Sequence, residues 1–300
     1  MLFDKQCLSG KRVLITGGGT GIGKGLARHL ASHGANVHIW GRRAQVLEEA
    51  AAEINGEIDA RRDAERVHWQ AVDIRKAEAV DAAVAEIWEK FGPLTGLINN
   101  AAANFIAPTK DLSPRGFEAI TSTVMNGAFF TTHAVGRRWI ANGLKGSVVS
   151  TLVTWIWTGS PFVVPSAMAK AAVNAMTMSL AVEWAKYGIR VNAVAPGPFP
   201  TDYAWKMLNP TDDSAVGATQ ADEVPAGRFG EISELGNLVL LLQSDGCDYI
   251  TGETIAIDGA HHLAAPSTFA GLNKLSDEQW ARIKEQAKAA SDESKAQRSV

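Results

Sequence analysis

The stretch Arg12–Gly25, RVLITGGGTGIGKG, constrains this chain more than any other. A short apolar run, Val13-Leu14-Ile15, stops at once on glycines, as a buried parallel strand does at a tight turn. Ile22, Leu26 and Leu30 then fall at helical spacing, so a helix opens near Gly21. Strand, glycine turn and helix N-terminus together form an anion site, with N–H groups and the positive end of the helix dipole facing one gap. Side chains at Gly17, Gly18, Gly19, Gly21 and Gly23 would keep a pyrophosphate off the backbone, so Gly17–Gly23, with Thr20 and Ile22, is the candidate phosphate cradle. The spacing of Gly17, Gly21 and Gly23 departs from the commonest dinucleotide fingerprint, and a plain strand-to-helix turn is the alternative.

The rest of the chain repeats the same grammar. Strands are expected at Asn36–Trp40, Arg66–Val72, Leu97–Asn100, Ser147–Thr151, Ile189–Ala195 and Thr254–Ile257. Helices are expected at Ala44–Ile54, Lys76–Phe91, Phe117–Ile140, Pro165–Tyr187, Glu231–Leu242 and Leu275–Ala289. Alternating strands and helices predict an α/β fold: a single-domain, Rossmann-like, doubly wound parallel sheet with helices on both faces. Residues 1–265 form the dinucleotide-binding domain, with a mobile lid at 199–225, and 266–300 are a C-terminal helical extension and disordered tail.

Composition narrows the function. With 300 residues, 46% of them hydrophobic, the chain can bury one large core. A net charge of −3 with mixed signs gives no electrostatic case for nucleic acid. No apolar run reaches membrane-spanning length, and the N-terminal residues lack a signal peptide's apolar segment. Two cysteines, Cys7 and Cys247, fit a reducing compartment, so a soluble cytoplasmic protein is expected. His29 and His33 share a helix face without a third ligand, and His261 and His262 read as surface residues, so no metal is expected. After the second strand stand Arg42 and Arg43, where an acid would hold the adenosine ribose hydroxyls. Their guanidinium groups suit the 2′-phosphate of NADP(H), the alternative being a solvated pair that starts a helix.

Thr16-Gly17…Gly21-Ile22-Gly23, Asn99-Asn100-Ala101-Ala102, Asn126, Lys170 and Pro196-Gly197 together resemble the short-chain dehydrogenase/reductase family over nearly the whole chain. The family usually carries a tyrosine four residues before the lysine, which acts as an acid on a carbonyl oxygen. Here Ser166 stands in that place and Val153 replaces the usual serine. Asn99–Ser113, Pro161–Lys170, Glu183–Pro198 and Leu275–Ile283 resemble the NADPH-dependent 2,4-dienoyl-CoA reductases, a subgroup with serine at that position. There hydride reaches the far carbon of a dienoyl thioester, a dienolate develops, and the site needs donors aimed at its oxygen.

The resemblance implies Asn104 and Trp155 as those donors, beside Lys170 and Ser166. Trp155 falls where the subgroup has tyrosine. Its indole N–H can donate but not act as an acid, and a role as pocket wall stays open. The resemblance also implies cofactor contacts at Asp73, Ile74, Asn100, Ala101, Ala102, Lys170 and Pro196-Gly197-Pro198-Phe199. Substrate-side positions match Arg75, Phe105 and Ser113; the lid's basic residue falls at Met207, with Lys206 adjacent. The resemblance implies NADPH-dependent reduction of a conjugated 2,4-dienoyl-CoA thioester by a homotetramer. The alternatives are another enoyl- or 3-oxoacyl thioester, or a non-catalytic NADP(H)-binding or assembly protein.

Overall fold

The computed structural model describes residues 3–58, 66–104, 106–201, 221–264, 276–279 and 281. Seven parallel strands form one sheet in the order β3-β2-β1-β4-β5-β6-β7. They are β1 Arg12–Thr16, β2 Asn36–Gly41, β3 Val67–Ala71, β4 Gly96–Asn99, β5 Gly146–Thr151, β6 Ile189–Pro196 and β7 Thr254–Ile257. The chain starts in the middle, winds outward to β3, crosses back to β4 and winds out the other way. That reversal opens a crevice beyond the carboxyl ends of β1 and β4, where ligands of such sheets bind.

Period-two alternation sorts the strands' side chains onto two cores. Val13, Ile15, Val37, Ile39, Ile98, Val149 and Val194 face α1 (Gly21–Ser32), α2 (Ala44–Glu57) and the helix Ile232–Gln243. Leu14, Trp40, Leu97, Val148, Ile189 and Val191 face α3 (Ala77–Phe91), α5 (Gly127–Ala141) and α7 (Val164–Trp184). Each fully buried Leu, Ile or Val side chain contributes about 1.5–3 kcal/mol of transfer free energy, so neither face can be left bare. On the first face α1 and Ile232–Gln243 meet at glycines: a Cβ on Gly25 would stand 2.3 Å from Ile232, and one on Gly236 2.6 Å from His29.

The strands and the helices around the glycine turn stand within one or two residues of their expected bounds. The long helix expected at Phe117–Ile140 differs. It is α4 (Pro114–Thr121), then a wide i→i+5 turn over Ser122–Asn126, then α5. Nothing in residue spacing betrays such a turn, which adds a residue without ending the helix. A short helix, α6 (Trp155–Thr158), and another at His261–Ala264 were not anticipated; both are single turns without a periodic face. Most of the expected lid, 202–220, and most of the C-terminal helix and tail lie outside the described residues.

Candidate active site

The glycine turn is built by its neighbours as much as by its own residues. Gly17 and Gly21 adopt φ of +69° and +54°, which glycine reaches without a Cβ penalty. A Cβ on Gly23 would lie 2.2 Å from the Gly17 carbonyl oxygen, so the first turn of α1 presses directly on the loop. Gly18 faces β2, where a Cβ would meet Ile39 at 2.6 Å; it packs the turn rather than lining the cleft. Asn100, at the end of β4, pins this arrangement: its amide nitrogen donates to the Thr16 and Gly17 carbonyls at 3.1 and 3.3 Å. The Thr16 hydroxyl in turn accepts the N–H groups of Asn100 and Ala101, both at 3.0 Å. The neighbouring Asn99 is buried and donates to the Thr132 hydroxyl at 2.8 Å, tying β4 to α5.

The crevice above this turn is a cleft of about 1140 Å³. Gly17, Gly19, Thr20, Gly21, Ile22 and Gly23 line one end, with Arg42 and Arg43 beside them. Asp73, Ile74 and Arg75 form the adjoining wall, and Asn100, Ala101, Ala102 and Asn104 the floor. Trp155, Ser166 and Lys170 come in from α6 and α7, and Pro196, Gly197, Pro198 and Phe199 from the end of β6. Residues scattered over most of the chain thus converge on one cavity. Ser113 does not join them: it N-caps α4, its hydroxyl accepting the Gly116 N–H at 3.1 Å. Phe105, Lys206 and Met207 lie outside the described residues.

Charge in the cleft is organised by pairs. Arg75 grips Asp73 through Nε and Nη2 at 2.6–3.1 Å. This contact, reinforced by the charge of Arg42, holds the Asp73 carboxyl down at about 2. Arg75 is therefore committed to Asp73 in this state. Lys170 is buried, and its ammonium donates to the Thr151 carbonyl oxygen. Burial lowers its pKa to about 8.

Three polar atoms in and beside the site have no hydrogen-bond partner among the described residues, the Thr151 hydroxyl and the side-chain oxygens of Asn99 and Asn104, all inaccessible to solvent. Oxygen and nitrogen of an asparagine amide exchange by a 180° rotation, so Asn104 presents an uncommitted amide to the cleft. A dinucleotide fits these features. The glycine turn leaves backbone N–H groups free of Cβ atoms, and Arg42-Arg43 supply cations at its adenosine end.

Spacing alone did not identify several lining residues. Val46, Leu47 and Thr201 flank the glycine turn, Ile106 and Phe162 also line the cleft, and His261 follows β7. His261 and His262 are half-buried, not surface residues: His262 Nδ1 lies 2.6 Å from Asp258 and its ring 4.9 Å from that of Trp157. The aspartate that ends β7 draws the following turn inward, which no histidine pattern signals. Among the described residues no cluster of histidine, cysteine or carboxylate side chains could hold a metal, and no helix is long and apolar enough to cross a membrane.

A parallel sheet whose switch point carries a glycine turn, a basic pair and a buried lysine defines a dinucleotide-dependent oxidoreductase. The model of the family described as Enoyl-(Acyl carrier protein) reductase matches residues 17–262. The chain belongs to the short-chain dehydrogenase/reductase family and is an NAD(P)-dependent oxidoreductase. It is 40% identical to the Bacillus subtilis "Probable 2,4-dienoyl-CoA reductase [(2E)-enoyl-CoA-producing]", over 84% of this chain and 97% of that protein. It is 41% identical to the Caenorhabditis elegans "Probable 2,4-dienoyl-CoA reductase 3 [(3E)-enoyl-CoA-producing]", over 84% of this chain and 80% of that one. Among solved structures, a gluconate 5-dehydrogenase from Burkholderia cenocepacia in complex with NADP and tartrate superposes with a TM-score of 0.78. It is 32% identical over 86% of this chain and 97% of its own.

Proposed function

We propose that this protein is an NADPH-dependent 2,4-dienoyl-CoA reductase. The observation that carries the reading is the uncommitted amide of Asn104 in a cleft where Ser166, not an acid, stands four residues before Lys170. Bound NADPH supplies the hydride. The glycine turn and Arg42-Arg43 hold the phosphates, and Lys170 holds the nicotinamide ribose. The Asn104 amide N–H donates to the thioester oxygen, and Trp155 Nε1–H is the second donor. Charge gathers on that oxygen as hydride adds to the far carbon of the diene. A preorganised donor there lowers the barrier without giving up a proton. The intermediate is a dienolate and not an alkoxide, so no acid is needed at oxygen: the product-forming proton is added at carbon, and water in the cleft supplies it. The test is NADPH oxidation measured in parallel with a 2,4-dienoyl-CoA and a 3-oxoacyl-CoA, beside NADP+ reduction measured with gluconate; turnover confined to the dienoyl substrate is expected. Faster turnover of either other substrate overturns the reading.

NADP(H) over NAD(H) rests on Arg42 and Arg43, both in the cleft wall, with no acidic residue after β2. Arg42→Ala should weaken NADPH binding by about 1.5–3 kcal/mol, the range for a charged hydrogen bond, and leave NADH nearly unchanged. Fluorescence titration of both nucleotides checks this; equal losses for the two rule it out.

The same reading takes the enzyme to be a homotetramer. Met168, Met178 and Val182 on α7, Met125 in the wide turn and Phe129 at the start of α5 are all more than a third exposed, forming apolar stripes that water covers poorly. Closed pairing of these helices between copies would cover them. Light scattering at micromolar concentration should give four times the chain mass of 32.0 kDa, and Val182→Glu should lower it. A monomeric parent protein excludes the pairing.

A further inference from the structure

Phe162 stands out on two independent grounds. Its φ is +62°, a left-handed backbone that bulky residues avoid; Ala260 is the only other non-glycine residue above zero among those described. The residue is also 53% exposed although it lines the cleft. Both neighbours hold it there. Val163 is buried and leads into α7, the helix carrying Ser166 and Lys170. On the other side the Phe162 carbonyl accepts the Ala107 N–H at 2.9 Å, and Ala107 belongs to the loop that presents Asn104. Ile106, beside that bond, is likewise exposed into the cleft.

The cleft therefore has two chemically different regions. Glycine N–H groups and two arginines suit phosphates where β1 and β2 end; Ile106 and Phe162 add apolar lining where the chain leaves β4 and enters α7, the segments on either side of Asn104 and Trp155. Strained conformations persist where the surroundings over-determine them, commonly at ligand clamps. Resting on the reaction proposed above, we infer that Phe162 is a platform for the apolar tail of the acyl chain beyond the reacting diene, and that it sets a preference for longer chains. The residue is solvent-exposed until that tail covers it. Its backbone is fixed in advance by the same loop and helix that carry the reacting groups.

The test uses the NADPH-saturated enzyme and 2,4-dienoyl-CoA substrates of six, eight, ten and twelve carbons. A fully buried methylene is worth about fourfold in affinity, and one covered on a single face about twofold. In the parent, kcat/KM should climb by roughly these factors per methylene, chiefly through KM. Phe162→Gly should reduce the twelve-to-six-carbon ratio at least tenfold, and Phe162→Leu by less. Glycine accepts the left-handed backbone, so the Tm of Phe162→Gly should equal or exceed that of the parent.

An unchanged ratio, or an equal loss at every length, overturns the platform. So does a change in oligomer mass on Phe162→Gly, which would assign the ring to a subunit contact. If the parent turns over no dienoyl thioester, the reaction fails as a reading. The platform is then decided by tryptophan-fluorescence titration with saturated octanoyl- to dodecanoyl-CoA. A length dependence in the parent that Phe162→Gly abolishes upholds it; no such dependence, or its survival in the variant, overturns it.

Discussion

Asn104→Ala should lower kcat for a dienoyl-CoA by about 10²–10³, the usual result of removing one donor from an oxyanion site, or roughly 2.7–4 kcal/mol of barrier. The change deletes an amide that has no hydrogen-bond partner among the described residues, so it costs the folded protein little. Loss of turnover with an unchanged Tm and unchanged NADPH affinity is therefore the expected signature. Asn104→Asp sharpens the test. It keeps the shape, removes the N–H donors and adds a negative charge against a developing one, so it should be at least as damaging as alanine. Trp155→Phe separates donor from wall: it keeps the aromatic surface and loses Nε1–H. Full activity in Trp155→Phe beside a crippled Asn104→Ala leaves Trp155 as wall only. An active Asn104→Ala defeats the oxyanion assignment.

The second large effect concerns acid stability and lies at the far end of the sheet. His38 on β2 is buried, its ring 5.2 Å from His68 across the β2–β3 pairing and 4.9 Å from Phe91. Its Nε2 has no hydrogen-bond partner among the described residues. Burial first, then the nearby charges of His68 and Arg12, lowers its pKa from 6.5 to about 3. The folded state thus refuses a proton that the unfolded chain accepts below pH 6.5. Stability is whole above that pH and falls as pH drops from 6.5 toward 3, by about 1.4 kcal/mol per unit and on the order of 5 kcal/mol in all. His38→Phe keeps an aromatic ring against Phe91 and removes the titration. Urea midpoints at pH 7.5 and 4 should converge in the variant relative to the parent. The same acid loss in both proteins would acquit His38.

Reading the sequence captured what depends on local pattern. Val13-Leu14-Ile15 is a buried strand because both faces of the sheet are covered. Gly17 and Gly21 sit at positive φ because the strand-to-helix turn requires it. Arg42, Asn104, Ser166 and Lys170 share a cleft because each follows the carboxyl end of a central strand or stands on a helix flanking it. Features set by distant parts of the chain were not legible. Phe162 occupies a backbone region in which glycine is the usual resident, so no residue preference pointed to it. Ser113, a substrate-side position by resemblance, stands at the N-cap of α4, where its hydroxyl accepts the Gly116 N–H, and it is not among the residues lining the cleft. The Arg75–Asp73 grip is a local pair whose effect on the cleft appears only once β3 is set beside β2.

Chain length is negotiable at Ser122–Asn126. A turn closed i→i+5 stores about one residue more than an α-turn, while the helix on either side keeps its face. Upstream, Ile120 packs with Ala169 of α7, joined by Val124 from within the turn; downstream, Thr132 meets Asn99 and Trp139 Nε1 donates to the Leu94 carbonyl at 2.6 Å. A one-residue deletion within the wide turn is absorbed by tightening it to a regular helix, and both sets of contacts survive. The same deletion between Gly127 and Thr132 has no such slack. It rotates everything beyond it by about 100°, swings Trp139 off Leu94 and pulls α5 away from the strand that ends in Asn99 and Asn100. The helix therefore contains a single joint at which an insertion or deletion can be tolerated, one turn before the segment where none can.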